Sequence, residues 1–192
     1  MTPSRESKML RLFRNSARER AVDALYAAVV GQARQPRFYA DWGVPDTADG
    51  RFEIISLHAF LLLRRLKAER PRTAKLAQAF FDLMFADVDR NLREMGVGDM
   101  RVGKRVKAMA QSFYGRIAAY DAGLAGSDTE LGEALLRNAY GGQGADLGHH
   151  RLLADYTRRQ IQHLDGQECA ELLVGRLSFI DMAAFAGAGA VS

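Results

Sequence analysis

Gly98-x-x-x-x-Gly103-Lys104 has the spacing that opens a phosphate-binding loop, in which backbone N–H groups and a lysine cradle phosphate oxygens. Such a loop follows a strand and carries a Ser or Thr after the lysine to hold magnesium. Here a helical pattern precedes it, and Arg105 stands where the hydroxyl belongs. The reading preferred is a tight turn between two helices, with Gly96 and Gly98 at positive φ and Asp99 capping the helix that follows. His149, His150 and His163 could ligate a metal, but adjacent helical residues point about 100° apart and rarely share one ion. Asp146, four positions before His150, is the one carboxylate at a useful spacing, so no metal site is expected. Asp82, Asp87, Asp89 and Glu94 load one helix with acid, and Asp82 and Asp89 share a face. Paired carboxylates hold metals or shuttle protons inside helical bundles. The Glu-x-x-His signature of di-iron bundles is missing, however, and Arg90 and Arg93 interleave with the acids at ion-pair spacing. A charged face toward solvent or a partner is expected, with a helical enzyme built on these carboxylates as an alternative. His58 lies in the most apolar stretch and is expected to be buried and hydrogen-bonded rather than a base. Cys169 has no motif around it and reads as a small core residue. No catalytic residue, metal or cofactor is assigned.

The elements that must position these groups are all helical. The periodicity predicts helices over 5–30, 51–69, 73–95, 100–122, 127–140, 147–164 and 167–174. The first carries Met9, Phe13, Ala17, Ala24 and Ala28 between arginines, and Gly31 is expected to break it. Residues 35–49 are irregular and aromatic, with Phe38, Tyr39 and Trp42 among Pro36, Gly43 and Pro45. The second helix is apolar almost all round, from Ile54 to Leu66, which marks a central, buried helix. Thr73 reads as the N-cap of the third, whose stripe is Leu76, Phe80, Leu83, Val88, Leu92 and Met95. The fourth has Val102, Val106, Met109, Phe113, Ile117 and Tyr120 as its stripe. Ser127-x-x-Glu130 reads as a capping box opening the fifth. Neither an alternating strand pattern nor an internal repeat is found. The expected fold is therefore all-α, a single-domain bundle of six to seven helices without significant sheet. Its expected parts are a basic N-terminal helix over 1–35, a helical domain over 36–180 and an Ala/Gly-rich tail over 181–192.

Among 192 residues, 48% are hydrophobic and 26% charged, which supports a sizeable core and excludes global disorder. The longest apolar run, Ile54 to Leu63, is about half of what spans a bilayer. No secretory signal is expected from the N-terminal residues, and one cysteine excludes an internal disulfide framework. The net charge of +4 is unevenly placed. Residues 1–20 hold six basic side chains (Arg5, Lys8, Arg11, Arg14, Arg18 and Arg20) against Glu6 and Glu19, leaving 21 of each sign for the rest. Arg5, Lys8, Arg11, Arg14 and Arg18 are candidates for an anionic neighbour, either lipid headgroups or ribosomal RNA. A solvated first helix is the alternative.

The residues from Phe38 to Arg116 carry a resemblance. Phe38-Tyr39-Ala40-Asp41-Trp42-Gly43-Val44-Pro45-Asp46-Thr47, Leu62-Leu63-Arg64-Arg65-Leu66 and Phe81-Asp82-Leu83-Met84-Phe85 contribute to it. So do the block from Arg90 through Glu94 to Asp99, the run Val102-Gly103-Lys104 with Val106 and Lys107, and Phe113-Tyr114-Gly115-Arg116. Together they resemble the ubiquinol–cytochrome c chaperone family over roughly 40–180. The resemblance implies an all-α, non-enzymatic factor for assembly of respiratory complex III; the Ala-, Arg- and Gly-rich composition and the lack of a long targeting sequence lead to the expectation of a bacterial version. It further implies newly made cytochrome b as client, contact with ribosomes near the exit tunnel, and a smaller partner protein. A location in the cytoplasm, peripheral to the inner face of the membrane, would follow. Two places exceed what core packing requires, and they are the candidate client surfaces: the loop of Phe38, Tyr39 and Trp42, and the hairpin bearing Arg90, Arg93, Asp99, Lys104 and Lys107. Packing against the second helix is the alternative for the aromatic loop. An RNA-binding module using the basic N-terminal residues is the alternative for the whole chain.

Overall fold

The structure, a computed structural model, describes residues 5–142 and 148–185, with side chains from Ser16 onward and without that of Ala184. The described elements are α1 (Arg5–Ala33), α2 (Arg37–Ala40), α3 (Ala48–Ala68), α4 (Ala74–Glu94), α5 (Asp99–Ala125), α6 (Asp128–Ala139), α7 (His149–Asp165) and α8 (Cys169–Leu173), followed by a 3-10 turn at Met182–Phe185. The fold is all-α, and no strand occurs among the described residues.

α3 is the axis of the bundle. Its Ile54, Leu57, Phe60 and Leu61 enter a core shared with Tyr120, Leu131, Leu135, Leu153 and Tyr156. Its Ala59, Leu62 and Leu66 enter a second core built with Val22, Leu25, Leu76, Phe80, Met84 and Phe113. A helix that feeds two cores needs apolar side chains on nearly every face, which accounts for the sequence of α3. The first core is closed by α6 and α7, the second by α1, α4 and α5.

The helix ends follow local chemistry, with several departures from expectation. Ser127 and Glu130 form the reciprocal capping box of α6. Thr47 caps α3 by accepting from the Gly50 N–H at 3.1 Å. Thr73 does occupy the N-cap position of α4, but its side chain makes no capping bond there: the hydroxyl donates to the Leu66 carbonyl at 2.5 Å and so closes the end of α3 instead. Gly31 does not break α1, which runs two residues further because Val29 and Ala33 are buried on either side of it. Asp99 is not a cap either. It is the first residue of α5 and pairs with Arg93.

The last described segment turns back over the bundle. Gln167 pairs with both backbone groups of Ser178, its Nε2 donating at 2.7 Å and its Oε1 accepting at 3.1 Å. Gln160 does the same to Ile180, at 3.3 and 3.0 Å. The Ile180 carbonyl also accepts from Gln32 at 3.1 Å, and the Met182 carbonyl accepts from Arg37 at 2.6 Å. Met182 and Phe185 are buried, so the stretch expected as a tail from 181 begins as core; residues 186–192 lie outside the described residues. Likewise α1 packs on α3 and α4 through Ala21, Val22, Leu25 and Val29, so the stretch 1–35 is continuous with the bundle from Ala21.

Candidate functional site

The aromatic loop is a core element. Phe38 is fully buried and stacks edge-on against Trp42, His58 and Tyr156 at 5.3–5.4 Å. Trp42 packs on Tyr156 and on Phe185. These two candidates are therefore closed to a client in this structure, because α7 and the returning C-terminal segment cover them. Tyr39 is half-buried, donates its hydroxyl to the Ala33 carbonyl at 2.7 Å and lies beneath the Arg51 guanidinium.

His58 is buried beside this loop, as the sequence suggested. Its Nδ1 faces the Ile54 carbonyl at 2.8 Å and must donate there, which leaves Nε2 to accept from the Tyr156 hydroxyl at 2.7 Å. Tyr156 in turn accepts from Gln32 at 3.0 Å. Burial pushes the imidazole down to about 4, outweighing the favourable Ile54 contact. The residue is neutral and fully occupied, which suits a structural role.

The remaining sequence candidates for chemistry are dispersed. Asp82 is exposed and receives Gln78, and Asp89 is held by Arg93. His149 abuts Gly43, His150 abuts Gly132, and His163 meets the Ser178 hydroxyl. No cluster of three potential metal ligands occurs among the described residues. Gly98 and Gly103 fall at a helix–helix turn and inside α5, so the loop-like spacing has no strand before it. The backbone from Arg5 is helical, but the side chains of Arg5, Lys8, Arg11 and Arg14 lie outside those described; Arg18 is half-buried.

What the structure does offer is a groove of about 1050 Å³ running between α1, the first half of α3, the second half of α4 and the first half of α5. Its floor is partly apolar, with Phe52, Ile55, Met84, Val88, Leu92 and Met109. Its rim is charged, with Arg34, Asp49, Arg51, Asp87, Glu94 and Arg105. One wall is fixed by the Tyr26 hydroxyl donating to Asp87 at 2.8 Å. Glu53 and Arg116 face each other in the floor as a two-pronged ion pair, with Arg116 also reaching Ser112 at 2.5 Å. Burial raises the Glu53 carboxyl above its usual range and Arg116 opposes that rise; the two-pronged geometry is that of an ionised pair. Neither Asp82 nor Asp89 lines the groove. Sequence reasoning missed this feature. The signal was present in Phe52, Ile55 and Met109, which continue core stripes but end half-exposed. Periodicity marks a face as apolar without saying whether a neighbouring helix covers it.

The hairpin between α4 and α5 is rigidly built. Val97 N–H bonds to the Leu92 carbonyl and Gly96 N–H to the Arg93 carbonyl, both within 3.0 Å, with Gly96 at φ +80°. This is the helix-ending motif that glycine permits. Gly98, by contrast, has φ −60°, so one glycine of the expected pair takes positive φ. Arg93 reaches both Asp89 and Asp99 and ties α4 to α5. Arg90, Lys104 and Lys107 are exposed, Arg90 lying 3.7 Å from Asp87.

The described residues thus form an all-α bundle with a groove left open between α1, α3, α4 and α5. The family described as ubiquinol-cytochrome C chaperone matches residues 40–179, and the chain belongs to it. The chain is similar to the protein in the crystal structure of the Cbp3 homolog from Brucella abortus, with a TM-score of 0.78 and 41% identity, over 90% of this chain and 97% of that one. Ubiquinol-cytochrome c reductase complex assembly factor 1 of Homo sapiens is 31% identical over 150 residues, covering 78% of this chain and 50% of that protein. Protein CBP3, mitochondrial, of Saccharomyces cerevisiae is 30% identical over 147 residues, covering 74% and 44%. The chain thus spans about half the length of the human relative.

Proposed function

We propose that this chain is an assembly chaperone for the ubiquinol–cytochrome c reductase complex, and that it holds newly made cytochrome b without catalysing a reaction. The family match over residues 40–179 carries the reading, and the open apolar groove gives it a physical site. A client made of membrane helices exposes apolar side chains before it is assembled. The floor of Phe52, Ile55, Val88 and Met109 offers them a surface, and the charged rim limits how much is buried. The action belongs in the cytoplasm, close to the inner face of the membrane where such a client is inserted, and a smaller partner protein fits the same scheme. No helix among the described residues is long and apolar enough to cross a membrane.

Deleting the gene should lower assembled complex III and the spectroscopic signal of cytochrome b together. Purification of the full chain from translating cells should recover newly made cytochrome b. A deletion strain with normal cytochrome b absorbance would overturn the reading. The concentration of positive charge in residues 1–20 supports a second contact, with ribosomal RNA. Co-sedimentation with ribosomes at low salt, lost at high salt, is the expected result.

A further inference from the structure

The α4–α5 hairpin combines two features that the groove does not use. First, it carries unneutralised positive charge. Between Arg90 and Lys107 there are six basic residues against Glu94 and Asp99. Arg93 is taken up by Asp89 and Asp99, and Arg90 lies beside Asp87. Arg101, Lys104, Arg105 and Lys107 have no ion-pair partner among the described residues, although most other arginines of the bundle do. Second, the tip exposes large aliphatic side chains. Met100 is 91% exposed and Met95 66% exposed, on either side of the turn. Met100, Lys104 and Lys107 fall at i, i+4 and i+7 and share a face of α5. Met95, Arg101, Lys104 and Arg105 also line a recess of about 510 Å³ closed by the backbone of Gly96–Gly98.

Exposed methionines gain free energy on leaving water for an apolar phase, and cations beside them select an anionic one. A bare RNA surface would satisfy the four cations but would gain nothing from Met95 and Met100, and the turn offers no aromatic ring on which a base could stack. We propose that the α4–α5 hairpin is a membrane-docking tip. Met95 and Met100 enter the headgroup region of a bilayer, while Arg101, Lys104, Arg105 and Lys107 bind anionic phospholipid headgroups. The helix-ending motif at Leu92–Val97 and the Asp89–Arg93–Asp99 bridge hold the tip in shape, so little order is lost on docking. Met95 and Arg105 line both the recess and the groove. A docked tip therefore sets one end of the groove at the lipid surface. This inference concerns where the chain sits and is independent of what the groove holds.

The test is sedimentation of the purified full chain with vesicles of phosphatidylcholine alone and of phosphatidylcholine with phosphatidylglycerol, alongside binding to poly(U). Binding to the phosphatidylglycerol vesicles and not to the neutral ones is expected. Each cation near an anionic surface contributes about fivefold in partitioning, so Lys104→Gln/Lys107→Gln should lower it by about 25-fold. Met95→Asp/Met100→Asp should abolish it, with an unchanged thermal melt because both side chains are exposed. A Met100→Cys variant carrying an environment-sensitive dye should shift to the blue on those vesicles; Cys169 is buried and should remain unlabelled. The proposal fails if the hairpin variants bind vesicles like the parent, as they would if the basic N-terminal residues alone were responsible. It also fails if the dye does not shift, or if the same substitutions weaken poly(U) binding while vesicle binding is absent.

Discussion

Replacing His58 by Gln should flatten the acid end of the stability curve. In the folded protein the imidazole is neutral, its Nδ1–H given to Ile54 and its Nε2 filled by Tyr156. Its burial holds its pKa at about 4, against 6.5 when exposed. Above pH 6.5 the residue is neutral in both states and adds no pH dependence. As pH falls from 6.5 toward about 4, the unfolded chain takes up a proton that the folded chain does not, so stability is progressively lost. At 1.36 kcal/mol per pH unit, that interval amounts to about 3 kcal/mol, a large part of the stability of an ordinary domain. Urea melts followed by helical circular dichroism, at steps from neutral pH down to about 4, would read it as the difference between parent and variant. Carboxylates that titrate in the same range are common to both proteins and cancel. The parent should lose about 3 kcal/mol more than His58→Gln over that interval. Parallel curves would refute the burial argument and with it the assignment of the His58–Tyr156–Gln32 chain as a neutral lock.

Arg116→Ala leaves the Glu53 carboxylate in the groove floor without its partner and should cost about 2–3 kcal/mol, whereas Glu53→Leu/Arg116→Met should restore most of it; chemical denaturation of the three variants checks this. Gly123→Ala places a methyl 2.8 Å from the Leu131 Cα at the α5–α6 crossing and should cost about 1–3 kcal/mol in the same assay. Thr73→Val removes the hydroxyl that closes α3 and should cost about 1–2 kcal/mol, while Thr73→Ser should retain most of the stability. Met109→Lys puts a charge into the half-exposed groove floor. It should leave the melt within about 1 kcal/mol of the parent but abolish co-purification of newly made cytochrome b.

The bundle was legible in the sequence wherever a local rule decides the structure. Ser127 and Glu130 are three apart and cap α6, and Ile54 to Leu66 is apolar almost all round and forms the axis. What local rules do not contain is which distant segment covers a given face. Phe38 and Trp42 look like a surface loop beside three prolines and glycines. They are core because Tyr156 and Phe185, more than a hundred positions away, close over them. Thr73 has the residue type of a cap, yet the turn brings the Leu66 carbonyl to it and the hydroxyl goes there. The hairpin was visible as a motif but its charge was not, because the excess between Arg90 and Lys107 is hidden when residues 21–192 are counted together. The groove was least legible of all, since an uncovered apolar stripe and a covered one have the same spelling.

The glutamine-held return of residues 176–185 bears on how this protein comes into being. Gln32 is bonded to Ile180, 148 positions later, and Arg37 to Met182, 145 positions later. During synthesis α1 leaves the ribosome long before its partner in this bond exists. The core around Trp42 and Tyr156 stays incomplete until residues 176–185 emerge, because Phe185 packs on both rings. That part of the native core is therefore a late event, made only once residues 176–185 are available. A product ending before Leu177 would keep Phe38 against Trp42, His58 and Tyr156 but would lack Phe185 over Trp42 and Tyr156 and the backbone partners of Gln32, Arg37, Gln160 and Gln167.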